Sequence, residues 1–391
     1  MRILFLSSLY CSPSQPQRSI GNARILRAMR AHAEVRVMVP LPWYPEALAL
    51  RYPDLRAITD VPDVEIDEVD GTEILHPRTM HLPRVGRPLY ALLYGASMLA
   101  PIRAEVRRWK PDALLSAWAY PDGTAAVALG KIFGLPTAVR VMGTDINDYT
   151  KNPWRRPQIA WAMRNAGRVI AVSKALGHEV ESLGVDPRRI AVIPTGVDTT
   201  RFHPHDREEA RRTLGLPDGP IIVVPGRLSP EKGVHHFLDA LAKLDPSVCG
   251  VLVGDGAQAG ELKAQAERLG LSRRVRFEGY QPEPRMPLYY SAADLACLAS
   301  LEEGWPDALM ESFACGCPVV ASHVGGVPDI IALTGSGFTA PPGDADGLAK
   351  KLTEGLARGW DRAATARTML DYTLDRTARG YVETLRAASS A

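Results

Sequence analysis

Short apolar runs alternate with amphipathic stretches from one end of the chain to the other. Ile3-Leu4-Phe5-Leu6 predicts a buried first strand; a Ser/Pro-rich loop at 7–21, a helix at 22–31 and a strand at 35–39 follow. Runs at 113–115, 137–141, 169–172 and 190–193 predict further strands, with helical patterns between them. A second series opens with Ile221-Ile222-Val223-Val224 and continues at 248–253, 275–277, 295–298 and 319–321. Apolar strands alternating with helices predict parallel sheets covered on both faces, in two Rossmann-like, doubly wound α/β domains. The charged stretch 199–219 ends in Pro217-Asp218-Gly219, a turn signal, and reads as the boundary. The N-terminal domain is thus expected at 1–200 and the C-terminal domain at 201–372. A last helical stretch runs from about 373 to the end.

Composition narrows the picture. An apolar fraction of 46% over 391 residues is ample for two cores. The 46 basic and 44 acidic side chains leave a net charge of +2, which provides no field for binding nucleic acid. The five cysteines form no C-x-x-C pair and lie largely in apolar runs, a pattern that fits a reducing cytoplasm. Met1 to Leu6 is too short for a secretory apolar core, and no run reaches the roughly 18 apolar residues that span a bilayer.

Chemistry concentrates in the second series. The strand at 221 runs into Pro225-Gly226-Arg227-Leu228-Ser229-Pro230-Glu231-Lys232-Gly233, and a helix is predicted at 234–244. A strand-to-helix crossover places this loop at the carboxyl end of the sheet, where open α/β folds bind ligands. Arg227 and Lys232 bring two cations there, suited to the charge that develops on a diphosphate leaving group. A solvated surface turn explains the same pair. Further on, Glu303 and Glu311 are separated by seven residues, with a loop, Pro306 at the expected first helical position, and a helix ending at Cys315-Gly316. The amino end of that helix lies beside Gly304, whose lack of a side chain lets phosphate approach the backbone. One carboxylate is placed to meet a sugar and the other ribose hydroxyls. Ordinary helix-surface charges are the alternative. Gly254-Asp255-Gly256 is followed by Gly260, one position late for a dinucleotide fingerprint.

Taken in order, these motifs resemble retaining glycosyltransferases of family 4, which have the GT-B fold. The resemblance spans nearly the whole chain: Gly143-Thr144-Asp145-Ile146, Val172-Ser173, Ile193-Pro194-Thr195-Gly196-Val197-Asp198, Gly226-Arg227 with Glu231-Lys232-Gly233, Val253-Gly254-Asp255-Gly256, Ala292-Ala293-Asp294, Glu303 with Glu311, and Val324-Gly325-Gly326. It implies that the two domains face a central cleft and that the carboxyl-terminal helix, about 373–391, crosses back to the first domain. It also implies that Arg227 and Lys232 bind the donor diphosphate, Glu311 the ribose, and Glu303 the side of the transferred sugar, with Glu303, Arg227 and Lys232 forming the catalytic set. Gly21, Gly226, Gly254, Gly256, Tyr280, Gly304 and Trp305 complete the expected donor site. Many members carry a His before the Gly-x-Asp motif, and this chain carries Met142, which cannot act as a base. Front-face retaining transfer, in which the leaving phosphate takes the acceptor proton, requires none. No metal and no cofactor is expected, the nucleotide sugar, UDP- or GDP-linked, being the substrate.

The first domain is expected to hold the acceptor through Asp145, Trp118 and Arg18. Asp145 also reads as a helix cap, Gly21 as a simple helix-start turn, and Trp118 as core. The runs around Trp43 and Trp118 resemble the family branch that builds bacterial cell-surface polysaccharides, including teichuronic-acid-type enzymes. A stretch at 89–110 is apolar and then basic, and Trp154-Arg155-Arg156 with Trp161 adds an aromatic-basic patch. Peripheral contact with a membrane, suited to a lipid-linked acceptor at the inner face, and a solvated helix face both fit. The expected activity is a retaining, metal-independent transfer from a nucleotide sugar to a saccharide or lipid-linked saccharide. A sugar-nucleotide epimerase and a non-catalytic sensor on the same fold are the alternatives.

Overall fold

The computed structural model describes residues 1–15, 19–44, 56, 58–67, 69–80 and 89–389. They divide into two compact units, Met1–Pro194 with Leu374–Ala391, and Thr195–Thr373. The division falls earlier than residue 200. Thr195 and Val197 are tied to the second unit, because Trp305 Nε1 donates to the Thr195 carbonyl and Val197 bridges Thr373.

In chain order the strands of the first unit are β1 (Arg2–Leu6), β2 (Glu34–Met38), β3 (Leu41–Trp43), β4 (Val64–Ile66), β5 (Glu73–Leu75), β6 (Arg78–Met80), β7 (Ala113–Ala117), β8 (Thr137–Val141), β9 (Arg168–Ala171) and β10 (Ile190–Val192). Eight of them form one sheet in the order β10-β9-β8-β7-β1-β2-β5-β4, and β3 pairs with β6. All pairings are parallel except β4 with β5. The three-residue strands β3 to β6 were not expected. So few residues carry too little alternation to stand out, and the sheet edge needs no continuous apolar run.

Ile3 and Phe5 of β1 pack with Leu26 and Met29 of the helix Ile20–Met29 and with Tyr381, Val382 and Leu385 of the helix Leu374–Ser389. The carboxyl-terminal helix therefore completes the core of the first unit, and His32 Nε2 meets Asp375 Oδ1 at 2.7 Å beside it.

The second unit holds β11 (Ile221–Pro225), β12 (Cys249–Val253), β13 (Val275–Gly279), β14 (Leu295–Leu298), β15 (Val319–Ser322) and β16 (Gly337–Ala340), all parallel, in the order β13-β12-β11-β14-β15-β16. Order reverses beside β11, which pairs on one side with the next strand in sequence and on the other with β14. Such a reversal splays the two following loops apart and opens a crevice at the carboxyl edge. Phe237, Leu238 and Leu241 of the helix Val234–Leu241 bury against Ile222, Val224, Leu252 and Leu295. That helix stops short of residue 244. Pro306 caps the helix Asp307–Ala314 with an extended backbone (ψ 109°) instead of entering its first turn, and Gly316, at φ +73°, follows the C-cap Cys315. Among the described residues, no helix is long and apolar enough to cross a membrane.

A buried carboxylate joins strand ends in the first unit. Asp122, fully buried after β7, accepts from Ser8 Oγ at 2.9 Å, Ser7 Oγ at 3.3 Å and the Tyr94 hydroxyl. Burial pushes its pKa up to about 6, against the opposing effect of these hydrogen bonds. A raised acid pKa means that the folded state binds the proton more tightly than the unfolded chain. The associated stability is complete below the ordinary aspartate value of 3.8 and is lost as pH rises through about 6. The difference corresponds to about 3 kcal/mol. Urea midpoints of wild type and Asp122→Asn, measured from pH 4 to 7, are expected to diverge with this slope. Parallel curves would show that Asp122 does not titrate in this range.

Candidate functional site

Because all strands of the second unit run parallel, the loops after β11, β12, β13, β14 and β15 share one edge. Backbone hydrogen bonds join them. Gly226 N donates to Val253 O at 2.9 Å, Leu228 N to Asp255 O at 2.9 Å, Gln258 N to Leu228 O at 3.0 Å, Leu301 N to Glu231 O at 2.8 Å, and Gly326 N to Gly304 O at 2.9 Å. Gly254 has φ +149°, and a Cβ there would lie 1.9 Å from the Gly226 carbonyl oxygen, so the two loops approach as closely as a missing side chain permits. Gly256 packs likewise under Leu228, where a Cβ would meet the Leu228 carbonyl oxygen at 2.3 Å. Gly226 differs: at φ +127° it faces open space, exposed at the tip of β11.

This edge brings together most of the residues expected there. Lys232 Nζ lies 2.6 Å from Glu303 Oε1, and Ser300 Oγ donates to the same oxygen at 2.7 Å. The Glu303 side chain is only 8% exposed, so its orientation is set by this pair of donors. Arg227, by contrast, projects with its side chain 71% exposed and meets Glu231 at 3.3 Å. Burial opposes ionisation of Glu231, but hydrogen bonds from Ser229 and from backbone, with Arg227 and Lys232 nearby, hold its carboxyl below the usual range. Glu311, half-buried in the second turn of the helix Asp307–Ala314, accepts from the Tyr290 hydroxyl at 3.0 Å. Tyr290 is fully buried; desolvation, then the Glu311 charge, raises its pKa and keeps it a donor. Tyr280 stands exposed just past β13.

Trp305, expected in the donor site, lies in the loop after β14. It is nearly buried, and its indole N–H is committed to the Thr195 carbonyl at 3.0 Å. It fastens the start of the unit to the 299–305 loop. Ser300 and Tyr290, which orient Glu303 and Glu311, were not singled out in the sequence. Ser300, three positions before Glu303, left a local clue; Tyr290 left none, because its contact spans 21 positions.

The first unit arranges its own candidates separately. Gly21 lies in the first turn of the helix Ile20–Met29, after Ser19 at φ +50°. Asp145 is neither cap nor exposed acceptor ligand. It is fully buried, and its two oxygens accept from Ala119 N at 2.9 Å, Met142 N at 3.0 Å and Gly143 N at 2.9 Å. Desolvation raises its pKa against these bonds. Asp145 therefore shapes the loops after β7 and β8. Trp118, partly exposed, holds φ +82°, a backbone conformation costing a bulky residue about 1–3 kcal/mol, and stands edge-on to Tyr149 at 5.6 Å. Arg18 lies outside the described residues. Arg140, a cation interrupting the apolar strand β8, was overlooked. It is buried and donates to Asn22 Oδ1 and, at 3.5 Å, to Met142 Sδ.

Two family models match in succession: "Glycosyltransferase Family 4" over residues 22–201 and "Glycosyl transferases group 1" over residues 206–368. The chain is 27% identical over 362 residues to a Bacillus subtilis protein named as a teichuronic acid biosynthesis glycosyltransferase, TuaC, covering 90% of this chain and 88% of that one. Over 164 residues it is 37% identical to a D-inositol 3-phosphate glycosyltransferase of Segniliparus rotundus, 40% of this chain and 36% of that protein. Anabaena HepE, solved in complex with UDP, shares the fold at a TM-score of 0.74 and 22% identity, over 99% of this chain and 100% of that one. Fold and family models define the class: an enzyme with the GT-B fold that transfers glycosyl groups. Within it, the chain belongs to glycosyltransferase family 4.

Proposed function

We propose that this enzyme is a retaining, metal-independent glycosyltransferase that moves a sugar from a UDP- or GDP-linked donor to a saccharide or lipid-linked saccharide. The observation that carries this reading is the Lys232–Glu303 pair beside Arg227, on the loops that follow β11 and β14. Arg227 and Lys232 face the donor diphosphate, with exposed Gly226 leaving room for it. Glu311, aimed by Tyr290, takes the ribose hydroxyls, and Glu303, held by Ser300, lies toward the transferred sugar. Gly254 and Gly256 hold the neighbouring loop tight, and Gly304 and Tyr280 border the pocket. Gly21 is assigned to contact with the donor phosphate, and Trp118 borders the acceptor side.

In the reaction the bond between the anomeric carbon and the diphosphate oxygen breaks, and the acceptor oxygen bonds to the same face of that carbon. The acceptor proton passes to the departing diphosphate. No protein base enters, which accords with Met142 at its position. Fixed cations aimed at the leaving group lower the barrier without reorganising as the charge develops. The similarity to TuaC favours a role in bacterial cell-surface polysaccharide or glycolipid synthesis. A lipid-linked acceptor would bring the enzyme from the cytoplasm to the inner face of the plasma membrane.

The test is release of nucleoside diphosphate from UDP-, GDP- and ADP-sugars in EDTA, with α-linked sugar in the product as the stereochemical readout when an α-linked donor is used. Release from one donor with EDTA present and the anomeric configuration kept is expected. Inversion, or activity restored only by a divalent metal, would overturn the mechanism.

A further inference from the structure

Three helices of the first unit, Tyr90–Arg108, Thr124–Phe133 and Arg156–Asn165, bound a groove of about 520 Å³. Leu92, Ala96, Leu99, Ala128, Ile132 and Trp161 line it. Leu92 is 66% exposed, Ile132 62% and Trp161 38%. Scattered apolar side chains need no explanation on a surface, but large ones gathered around one groove mark a place that something covers.

The charge around the groove narrows what that is. Leu92, Ala96, Leu99, Arg103 and Arg107 follow one another at helical spacing, so a single stripe begins apolar and ends cationic. Arg103, Arg107, Lys131, Arg156 and Arg164 are all exposed. The three helices hold one acidic side chain, Glu105, which is buried and paired with Arg36 at 2.7 Å and Arg108 at 3.0 Å. In a chain with 46 basic and 44 acidic residues, this is a strong local excess. A second copy pairing symmetrically through this face would set cations against cations. An anionic bilayer meets both features: hydrocarbon for the groove and lipid phosphate for the rim.

We propose that this face docks on an anionic lipid membrane and that the groove takes up a hydrocarbon chain from it. Rings lead from the groove toward the loop after β7. Tyr90 meets Tyr120 edge-on at 6.3 Å, the Arg155 guanidinium covers Tyr120 at 5.5 Å and Tyr149 at 4.4 Å, and Tyr149 meets Trp118. A lipid seated with its chain in the groove presents its headgroup to Arg155 and Trp118. The proposal deepens the reading of a lipid-linked acceptor and rests on it only for the role of that headgroup.

The experiment is co-sedimentation of the full chain with vesicles of phosphatidylglycerol and phosphatidylcholine, against phosphatidylcholine alone. Wild type is expected to partition at least tenfold more strongly to the anionic vesicles. Leu92→Asp with Ile132→Asp, and separately Arg103→Glu with Arg107→Glu, are each expected to weaken that partition at least tenfold while keeping the wild-type thermal midpoint. Chain-brominated lipid is expected to quench tryptophan emission, with most of the quenching lost in Trp161→Phe. Partition unchanged in both double variants would overturn the proposal. So would a concentration-dependent dimer that the same variants abolish in protein showing no vesicle binding. Nucleoside diphosphate release measured without vesicles is expected to stay at the wild-type rate in both variants. If wild type releases none, the transferase reading fails, and the vesicle result stands by itself.

Discussion

Turnover of the nucleotide sugar is expected to fall about 10²- to 10³-fold in the Lys232→Ala variant, the range observed when one fixed donor to developing negative charge is removed. Lys232 is well placed for so large an effect. Its ammonium is already located by Glu303 at 2.6 Å, and its loop is fixed through Glu231, whose carbonyl accepts from Leu301 N at 2.8 Å. A preorganised cation needs little rearrangement in the transition state. The substitution also leaves Glu303, largely buried, with one fewer donor, so a loss of folding must be separated from a loss of catalysis. Lys232→Ala with Glu303→Gln removes both charges of the pair and is expected to recover thermal stability without recovering turnover. Single-turnover rates with saturating donor read the chemical step directly. Wild-type rates in Lys232→Ala would eliminate this residue from the charge-stabilising set.

Nucleotide affinity is expected to drop by about ten- to a hundredfold in Glu311→Ala, with a smaller change in the rate at saturating donor. Hydrogen bonds to a charged group contribute about 1.5–3 kcal/mol each, and each 1.4 kcal/mol is a factor of ten in binding. Ribose does not react, so its contacts are equally strong before and during bond cleavage and act on binding more than on rate. Glu311→Gln retains an oxygen for Tyr290 and is expected to lie between the variant and wild type. Tyr290→Phe leaves the carboxylate in place but removes the hydroxyl that aims it at 3.0 Å, and is expected to weaken binding by less than Glu311→Ala. Calorimetric titration with the nucleoside diphosphate checks all three. Equal affinity in Glu311→Ala and wild type would remove the ribose role.

Trp305 and Asp145 show where sequence reasoning stopped. Both sit inside motifs of the right spacing, and both residue types suit ligand contact. Yet Trp305 donates to Thr195 across 110 positions, and Asp145 receives Ala119 N from 26 positions away. A motif shows that a residue belongs to a loop near a site. It does not show whether the side chain faces the ligand or ties the loop down, because the competing partner is distant in sequence. Lys232 and Glu303, 71 positions apart, meet because their loops follow neighbouring parallel strands of one sheet.

What the sequence by itself determined is the class of architecture and the loops that carry the chemistry. Buried parallel strands must be apolar along their whole length, so runs such as Ile221 to Val224 and Leu295 to Leu298 were legible, and the charged loops that follow them were legible as their carboxyl ends. Only the tertiary structure decided the three-residue strands β3 to β6, the partners of each carboxylate, and the apolar groove on the first unit. A strand of three residues has too little pattern to declare itself, and the second oxygen of a carboxylate is satisfied by whatever group the fold brings near. The groove exists because three helices distant in sequence leave Leu92, Ile132 and Trp161 side by side, a proximity that no periodicity within one helix encodes.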